Sequence, residues 1–293
     1  MSTNTYKSIL RAVVRRILPF NIRQNLWRGL DMTDNLRRNM HLAQLRRRMC
    51  KQKPDSLVRC LDYKIRINDG PNFYILYKDI FINRIYHFEA QRPDPLILDC
   101  GSNIGMSILY SKHAYPLARV IGFEPDPAVF SYLQENVSLN SLKDVQLVQA
   151  ALSPQEGNMT FYADGKYGSY LAEHVPGDIP ERWVKCKVPC VRLQNYLTEP
   201  VDFLKMNIEG AEWEVLADSE DQIRQVREMV IEYHHLPGLP RTLHKILGLL
   251  HRQGFDYLVN NFDSETNPGV RTPFCLNPNS RYYLLIYAKR RED

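Results

Sequence analysis

The run Leu96-Ile97-Leu98-Asp99-Cys100-Gly101-Ser102-Asn103-Ile104-Gly105 constrains this chain more than any other stretch. It reads as a buried strand that ends on an acid, turns through two glycines and opens a helix at about Asn103 that runs to about His113. Glycine lets the backbone turn tightly and approach a ligand, and a helix start offers free N–H groups. A second strand of the same kind follows, Arg119-Val120-Ile121-Gly122-Phe123-Glu124-Pro125, and it too ends on a carboxylate. A glycine turn after one parallel strand and an acid after its neighbour form the half-site that grips an adenosine ribose. An ordinary α/β turn would need the glycines but neither acid.

Two cofactor classes use such a half-site. Dinucleotide enzymes carry Gly-x-Gly-x-x-Gly, because a pyrophosphate sits on the helix N-terminus. Here the pattern is Asp-x-Gly-x-x-x-Gly. A carboxylate before the turn repels a pyrophosphate and suits a cationic, amino-bearing ligand, which favours S-adenosylmethionine over NAD. The small residues after the third strand, Ala150 and Ala151, would let an adenine ring lie against the backbone.

The spacing of the remaining segments predicts an open α/β sheet. Strands fall near 96–100, 119–123, 145–149, 201–207 and 227–233, and helices near 103–113, 126–139, 209–218 and 239–253. Two further strands, at 255–259 and 282–287, would close it as a Rossmann-like, mostly parallel sheet with an antiparallel last strand. Three regions follow from composition: a basic helical extension at 1–53, a β-hairpin and linker at 54–95, and the main domain at 96–293 with an insertion at 157–192. The hairpin would pair Tyr63–Ile67 with Phe73–Tyr77 around Asn68-Asp69-Gly70-Pro71. The insertion holds a Gly- and Tyr-rich loop at 166–170, where long loops at the sheet's C-terminal edge usually hold substrate.

Charge is unevenly spread. The chain is +5 overall, but residues 1–53 carry thirteen Lys and Arg against Asp31 and Asp34, a net +11 that leaves the rest at −6. Within it, Tyr6, Ile9, Leu10, Val13, Val14, Ile17 and Leu18 follow helical spacing, flanked by Lys7, Arg11 and Arg15 and stopped by Pro19. An amphipathic basic helix at 6–18 suits either an anionic membrane surface or a brace across the main domain. Nucleic acid is not expected, because stacking aromatics are not interleaved with the arginines. The arginines also break any signal-peptide core, and no apolar run approaches the ~20 residues of a membrane span. The six cysteines show neither Cys-x-x-Cys nor zinc spacing, which suits a reducing cytoplasm. The expected location is therefore cytoplasmic, with peripheral contact on the inner face of a membrane as the added option.

The fourth and fifth strands bring reactive groups to the same edge. Lys205, Asn207 and Glu209 leave the end of the fourth, and Glu232, His234 and His235 the end of the fifth. Such a set can deprotonate a hydroxyl or, through Glu209, Glu232 and His234, hold a divalent ion.

Three runs in order, Leu98-Asp99-Cys100-Gly101-Ser102-Asn103-Ile104-Gly105, Gly122-Phe123-Glu124-Pro125-Asp126 and Asp202-Phe203-Leu204-Lys205-Met206-Asn207-Ile208-Glu209-Gly210-Ala211-Glu212, resemble the FkbM family of S-adenosylmethionine-dependent methyltransferases. The resemblance covers about 96–260. It implies a Rossmann-like fold and methylation of hydroxyls such as those of sugars and polyketides. It further implies that Asp99, Gly101, Asn103, Gly105 and Glu124 contact the cofactor. Lys205, Glu209 and Glu212 match the fourth-strand run, and Glu232 and His234 the acid and His of the fifth. The family run usually has Asp where this chain has Asn207, and Asn is no base and a weaker metal ligand. His234 or Glu209 is then left as the base; His234 leads, oriented by Glu209 or Glu232, with transfer rising through the His range near ~6.5. The acceptor expected is a small molecule, sugar or lipid-linked glycan. A protein that binds the cofactor without catalysis and a dinucleotide oxidoreductase are the competing classes.

Overall fold

The computed structural model describes residues 39–164, 169–171, 181, 183–236, 238–261 and 282–291. It divides into two compact units, Met1–Lys51 and Gln52–Asp293. In the first unit residues 39–49 are helical. The basic helix expected at 6–18 lies outside the described residues, as do positions 166–168 of the Gly- and Tyr-rich loop.

The second unit is built on a seven-stranded sheet. Its strands are β3 (Leu96–Cys100), β4 (Arg119–Phe123), β5 (Val145–Val148), β10 (Val201–Met206), β11 (Val226–His235), β12 (Phe255–Asn261) and β13 (Tyr282–Arg290). Their spatial order is β12-β13-β11-β10-β3-β4-β5. The five strands from β5 to β11 run parallel, and β13 pairs antiparallel with both β11 and β12. This is the Rossmann-like sheet with an antiparallel closing strand that the sequence predicts. Chain order reverses between β3 and β10, and ligands of open α/β sheets bind at such a reversal, beyond the strands' C-terminal ends.

Burial follows from position in the sheet. Every residue of β3 and β10 is buried, as central parallel strands covered on both faces require. Of the helices α2 (Met106–Ala114), α3 (Pro127–Leu139), α4 (Glu212–Asp218) and α5 (Leu243–Arg252), α2 packs on β3, α4 on β11 and α5 on β12. Leu98, Leu204, Ile231, Leu216 and Leu249 are within one core. The start of α3 is fixed locally, because the Asp126 carboxylate accepts from Ala128 N (2.8 Å) and Val129 N (3.3 Å) and Pro127 opens the first turn.

Between β5 and β10 a second sheet is inserted, in the order β6-β9-β7-β8, from β6 (Ala151–Leu152), β7 (Gly157–Ala163), β8 (Ser169–Leu171) and β9 (Val184–Val191). The insertion at 157–192 supplies β7, β8 and β9. The sheet also recruits Ala151 and Leu152 from the loop after β5.

The expected hairpin is corrected. Tyr63–Ile67 (β2) does pair antiparallel, but with β1, Ser56–Cys60, upstream of it. Residues 73–77 are helical: α1 spans Gly70–Leu76 and passes into a π-helical turn at Tyr77–Ile82. The Asp69 carboxylate accepts from Asn72 N (2.8 Å) and Pro71 sits in the first turn, so Asn68-Asp69-Gly70-Pro71 is a helix cap and not a hairpin turn. Phe73 and Tyr77, then Tyr77 and Phe81, stack at centroid distances of 6.4 and 5.7 Å, a spacing of four that selects the helix from an otherwise ambiguous apolar run.

Candidate active site

The glycine turn is shaped by its neighbours across the sheet. Gly101 has φ +86°, and a Cβ there would lie 1.8 Å from the backbone oxygen of Asn207. No other residue fits where the loop after β3 crosses the end of β10. Gly101 N and Ser102 N donate to Phe123 O, and Asn207 N donates to Cys100 O, so the ends of β3, β4 and β10 are tied together. Asn103 also takes a left-handed conformation (φ +49°), which Asn tolerates better than most residues.

At this junction lies a cavity that is partly open to solvent. Gly101, Asn103, Phe123 and Glu124 line one side. Ala150, Ala151, Leu152 and Phe161 form an apolar wall, and Asn207, Ile208 and Glu209 close the far end. An apolar wall with a few convergent polar groups is the lining of a small-molecule or cofactor site. Phe161 belongs to β7, so the inserted sheet supplies part of that wall. No motif in the sequence marks it.

Glu124 is buried in this cavity and well connected. Its two carboxylate oxygens accept from Asn103 N and Asp126 N, each at 2.9 Å. Burial pushes the carboxyl up to about 7, against the pull of those two backbone donors. Each oxygen keeps a further lone pair for a ligand hydroxyl. An apolar slot, an acid beside it and a glycine turn fit an adenosyl group, so the donor set of the cavity suits S-adenosylmethionine.

Asp99 and Gly105 do not line the cavity, contrary to their expected contact with the cofactor. Asp99 is 2% exposed and is consumed by protein partners. Ser107 Oγ donates to its Oδ2 (2.5 Å), and Lys205 Nζ lies 3.3 Å from Oδ1. Lys205 sits directly opposite Asp99 in the β10–β3 register. Its ammonium also donates to Cys100 O (3.4 Å) and Gly101 O. Lys205 is buried too, so it braces the glycine turn and does not face the cavity. Gly105 (φ +92°) serves the turn into α2 and packs on Leu133.

Glu209 does face the cavity. Its φ is +55° and the next residue, Gly210, has φ +104°, so the loop between β10 and α4 is held in conformations rare for non-glycine residues. The side chain is 27% exposed, with Oε2 3.7 Å from His234 Nε2. Burial pushes Glu209 up to about 7; His234 and Lys205 pull it down, and Glu212 and Glu232 push it up.

His234 itself is buried against acids. Its Nδ1 lies 2.9 Å from Glu212 Oε1, an oxygen that also accepts from Gly210 N (3.0 Å), and its ring packs edge-on against Tyr283. Burial opposes the imidazolium, but Glu209, Glu212 and Glu232 outweigh it and raise His234 to about 9. The expected neutral imidazole base is therefore corrected: near pH 7 His234 is a cation held between carboxylates, and it does not line the cavity. His235 is buried apart from this set, and burial and Arg241 lower its pKa.

Glu232 is also withdrawn from the cavity. Tyr86 Oη donates to its Oε1, and Asn207 Nδ2 donates to its Oε2 (2.9 Å). The residues expected to hold a divalent ion do not form a ligand set: His234 Nδ1 is engaged by Glu212, and both oxygens of Glu232 are taken. Among the described residues no cluster of three or more His, Cys, Asp or Glu has the geometry of a metal site. Tyr86 is an addition to the residues singled out in the sequence, and Glu212 gains a partner in His234. Glu212 stands within the Glu-Gly-Ala-Glu run, whereas nothing in the sequence distinguishes Tyr86.

The family model for the methyltransferase FkbM domain matches residues 99–257. Relatives agree with it. The chain is 31% identical over 183 residues to "Methyltransferase 1" of Beauveria bassiana (strain ARSEF 2860), covering 55% of this chain and 74% of that protein. It is 32% identical over 213 residues to "Methyltransferase sdnD" of Sordaria araneosa, covering 62% and 81%. To "31-O-demethyl-FK506 methyltransferase FkbM" of Streptomyces tacrolimicus it is 30% identical over 213 residues, covering 61% and 80%.

Proposed function

Because the chain belongs to the FkbM methyltransferase family and is an S-adenosylmethionine-dependent methyltransferase, we propose that it methylates a hydroxyl, with Glu209 as the base. The observation that carries this reading is the Glu209 carboxylate. It is the acid at the far end of the cavity, beyond the adenosyl slot, and burial has moved it up to about 7. A base poised near the working pH is what deprotonation of a weakly acidic hydroxyl needs.

When bound, S-adenosylmethionine supplies a methyl group on a cationic sulfur. Glu124 would take the ribose hydroxyls with its free lone pairs, and the apolar wall would receive the adenine. Lys205 holds the carbonyls of the glycine turn so that the loop keeps its shape. Glu209 would accept the proton of the acceptor hydroxyl. His234, fixed by Glu212, stays protonated and stabilises the ionised Glu209 before that transfer. Much of the rate comes from alignment, because in-line displacement rewards orientation.

The acceptor we favour is a sugar, a glycan or a lipid-linked glycan. Family resemblance supports a hydroxyl acceptor, and the Streptomyces relative's name specifies a 31-O position. For the lipid-linked case the support is the basic segment at 6–18, which would dock the protein on the inner face of a membrane from the cytoplasm. The test is a panel of labelled reactions: methyl-labelled S-adenosylmethionine with free sugars, lipid-linked glycans, alcohols, amines and carboxylates. Label in a methyl ether supports the reading. Label in an amine or an ester refutes it.

A further inference from the structure

Asn207 is the point at which this chain departs from its family's usual Asp, and its surroundings give that departure a use. It lines the cavity, and its Nδ2 donates to Glu232 Oε2 (2.9 Å). Its Oδ1 is buried, with no hydrogen-bond partner among the described residues. Glu232 is in turn held by Tyr86, whose hydroxyl donates to Oε1 and whose ring lies 5.5 Å from Lys205 Nζ. Tyr86 is 7% exposed and precedes the span matched by the family model.

We propose that Tyr86 is a positioning residue: through Glu232 it fixes the Asn207 amide so that Oδ1 accepts from the ammonium of the methyl donor. The proposal rests on the reading that the cavity holds S-adenosylmethionine. An ammonium needs acceptors near the glycine turn. Asp99 cannot serve, since Lys205 and Ser107 occupy it, and Lys205 also holds the Gly101 carbonyl. Asn207 is a cavity residue with a spare acceptor beside the glycine turn, since its backbone abuts Gly101. An amide can also do here what a carboxylate cannot. An Asp at 207 would set two anions within hydrogen-bond distance, whereas Asn donates to Glu232 and leaves its oxygen aimed away from it. Tyr86 completes the arrangement by filling the other carboxylate oxygen, so that Glu232 has one orientation in which to receive Asn207.

The test is a double-mutant cycle with two ligands: S-adenosylhomocysteine, which carries the ammonium, and its deamino analogue, which does not. Calorimetry on Tyr86→Phe is expected to show about a three- to tenfold loss of S-adenosylhomocysteine affinity and less than about a twofold change for the deamino analogue. In an Asn207→Ala background Tyr86→Phe should add less than about twofold for either ligand. Should Tyr86→Phe fold poorly, Glu232→Gln serves instead: its amide lets Asn207 turn over, and it is expected to give the same discrimination between ligands. An equal loss for both ligands, an undiminished loss in the Asn207→Ala background, or no loss at all would overturn the proposal. The cavity reading fails separately, if Glu124→Ala leaves the affinity of both ligands unchanged.

Discussion

Replacing Glu124 by Ala probes two roles of one carboxylate at once. Each of its oxygens already accepts one backbone N–H, from Asn103 and from Asp126, and keeps one lone pair for the ribose. A hydrogen bond to a charged group contributes about 1.5–3 kcal/mol, so losing the ribose contact should lower S-adenosylhomocysteine affinity by roughly 10- to 150-fold. The same change leaves two backbone donors without their partner, at about 1–3 kcal/mol of stability for each one that water cannot reach. Calorimetry and thermal melting separate the two effects. The pH dependence adds a check. Burial holds the free carboxyl at about 7, whereas ribose hydroxyls favour the ionised form. Binding should therefore release protons near neutrality, and affinity should rise as pH passes upward through about 7. Glu124→Gln should remove its share of that proton release. A lower melting temperature with unchanged affinity would refute the reasoning and reduce Glu124 to a staple between two strand ends.

Three further outcomes follow from the same geometry and a fourth from the basic segment at 6–18. Glu209→Gln should lower turnover by about 10²–10⁴-fold while S-adenosylhomocysteine affinity holds, and in the wild type transfer should rise with pH through about 7. At 3.7 Å from Glu209 the His234 cation is worth about 4 kcal/mol at an effective dielectric near 20. Glu212 cancels most of this, so His234→Gln should move that pH limb upward by about one unit; a downward shift or none in the pH–rate profile would count against the pairing. Gly101→Ala should abolish soluble folded protein or ligand binding, since its Cβ would lie 1.8 Å from Asn207 O, and circular dichroism with calorimetry reads this. If residues 6–18 dock on an anionic membrane, the protein should pellet with anionic vesicles at low salt and be released when Arg11, Arg15 and Arg16 become Glu; protein left in the supernatant removes that reading.

The parts of the site legible in the sequence are those written within a few residues. The glycine turn, Glu124 after β4 and the Lys-x-Asn-x-Glu-Gly-Ala-Glu run are local patterns, and each stands at a strand end that periodicity alone could place. What failed depends on register between distant strands. Asp99 looked like a ligand for a cationic cofactor because nothing local shows that Lys205, 106 residues on, lies directly across from it. His234 looked like a neutral base for the same reason: its charge state is set by Glu212 and Glu209, which reach it from another strand's loop. Tyr86 sits in a connecting segment without periodicity, and only the fold carries it to Glu232. The misread segment at 70–77 is different in kind. A five-residue apolar run suits either period, and the cap at Asp69 decided it.

The most direct test of the account is a crystal structure of the full chain with S-adenosylhomocysteine bound. The account predicts the adenine between Phe161 and the Ala150–Leu152 wall, the ribose hydroxyls on Glu124, and the sulfur turned toward Glu209. A ligand bound elsewhere, or one in this cavity with Glu124 out of contact and the sulfur turned away from Glu209, would contradict it.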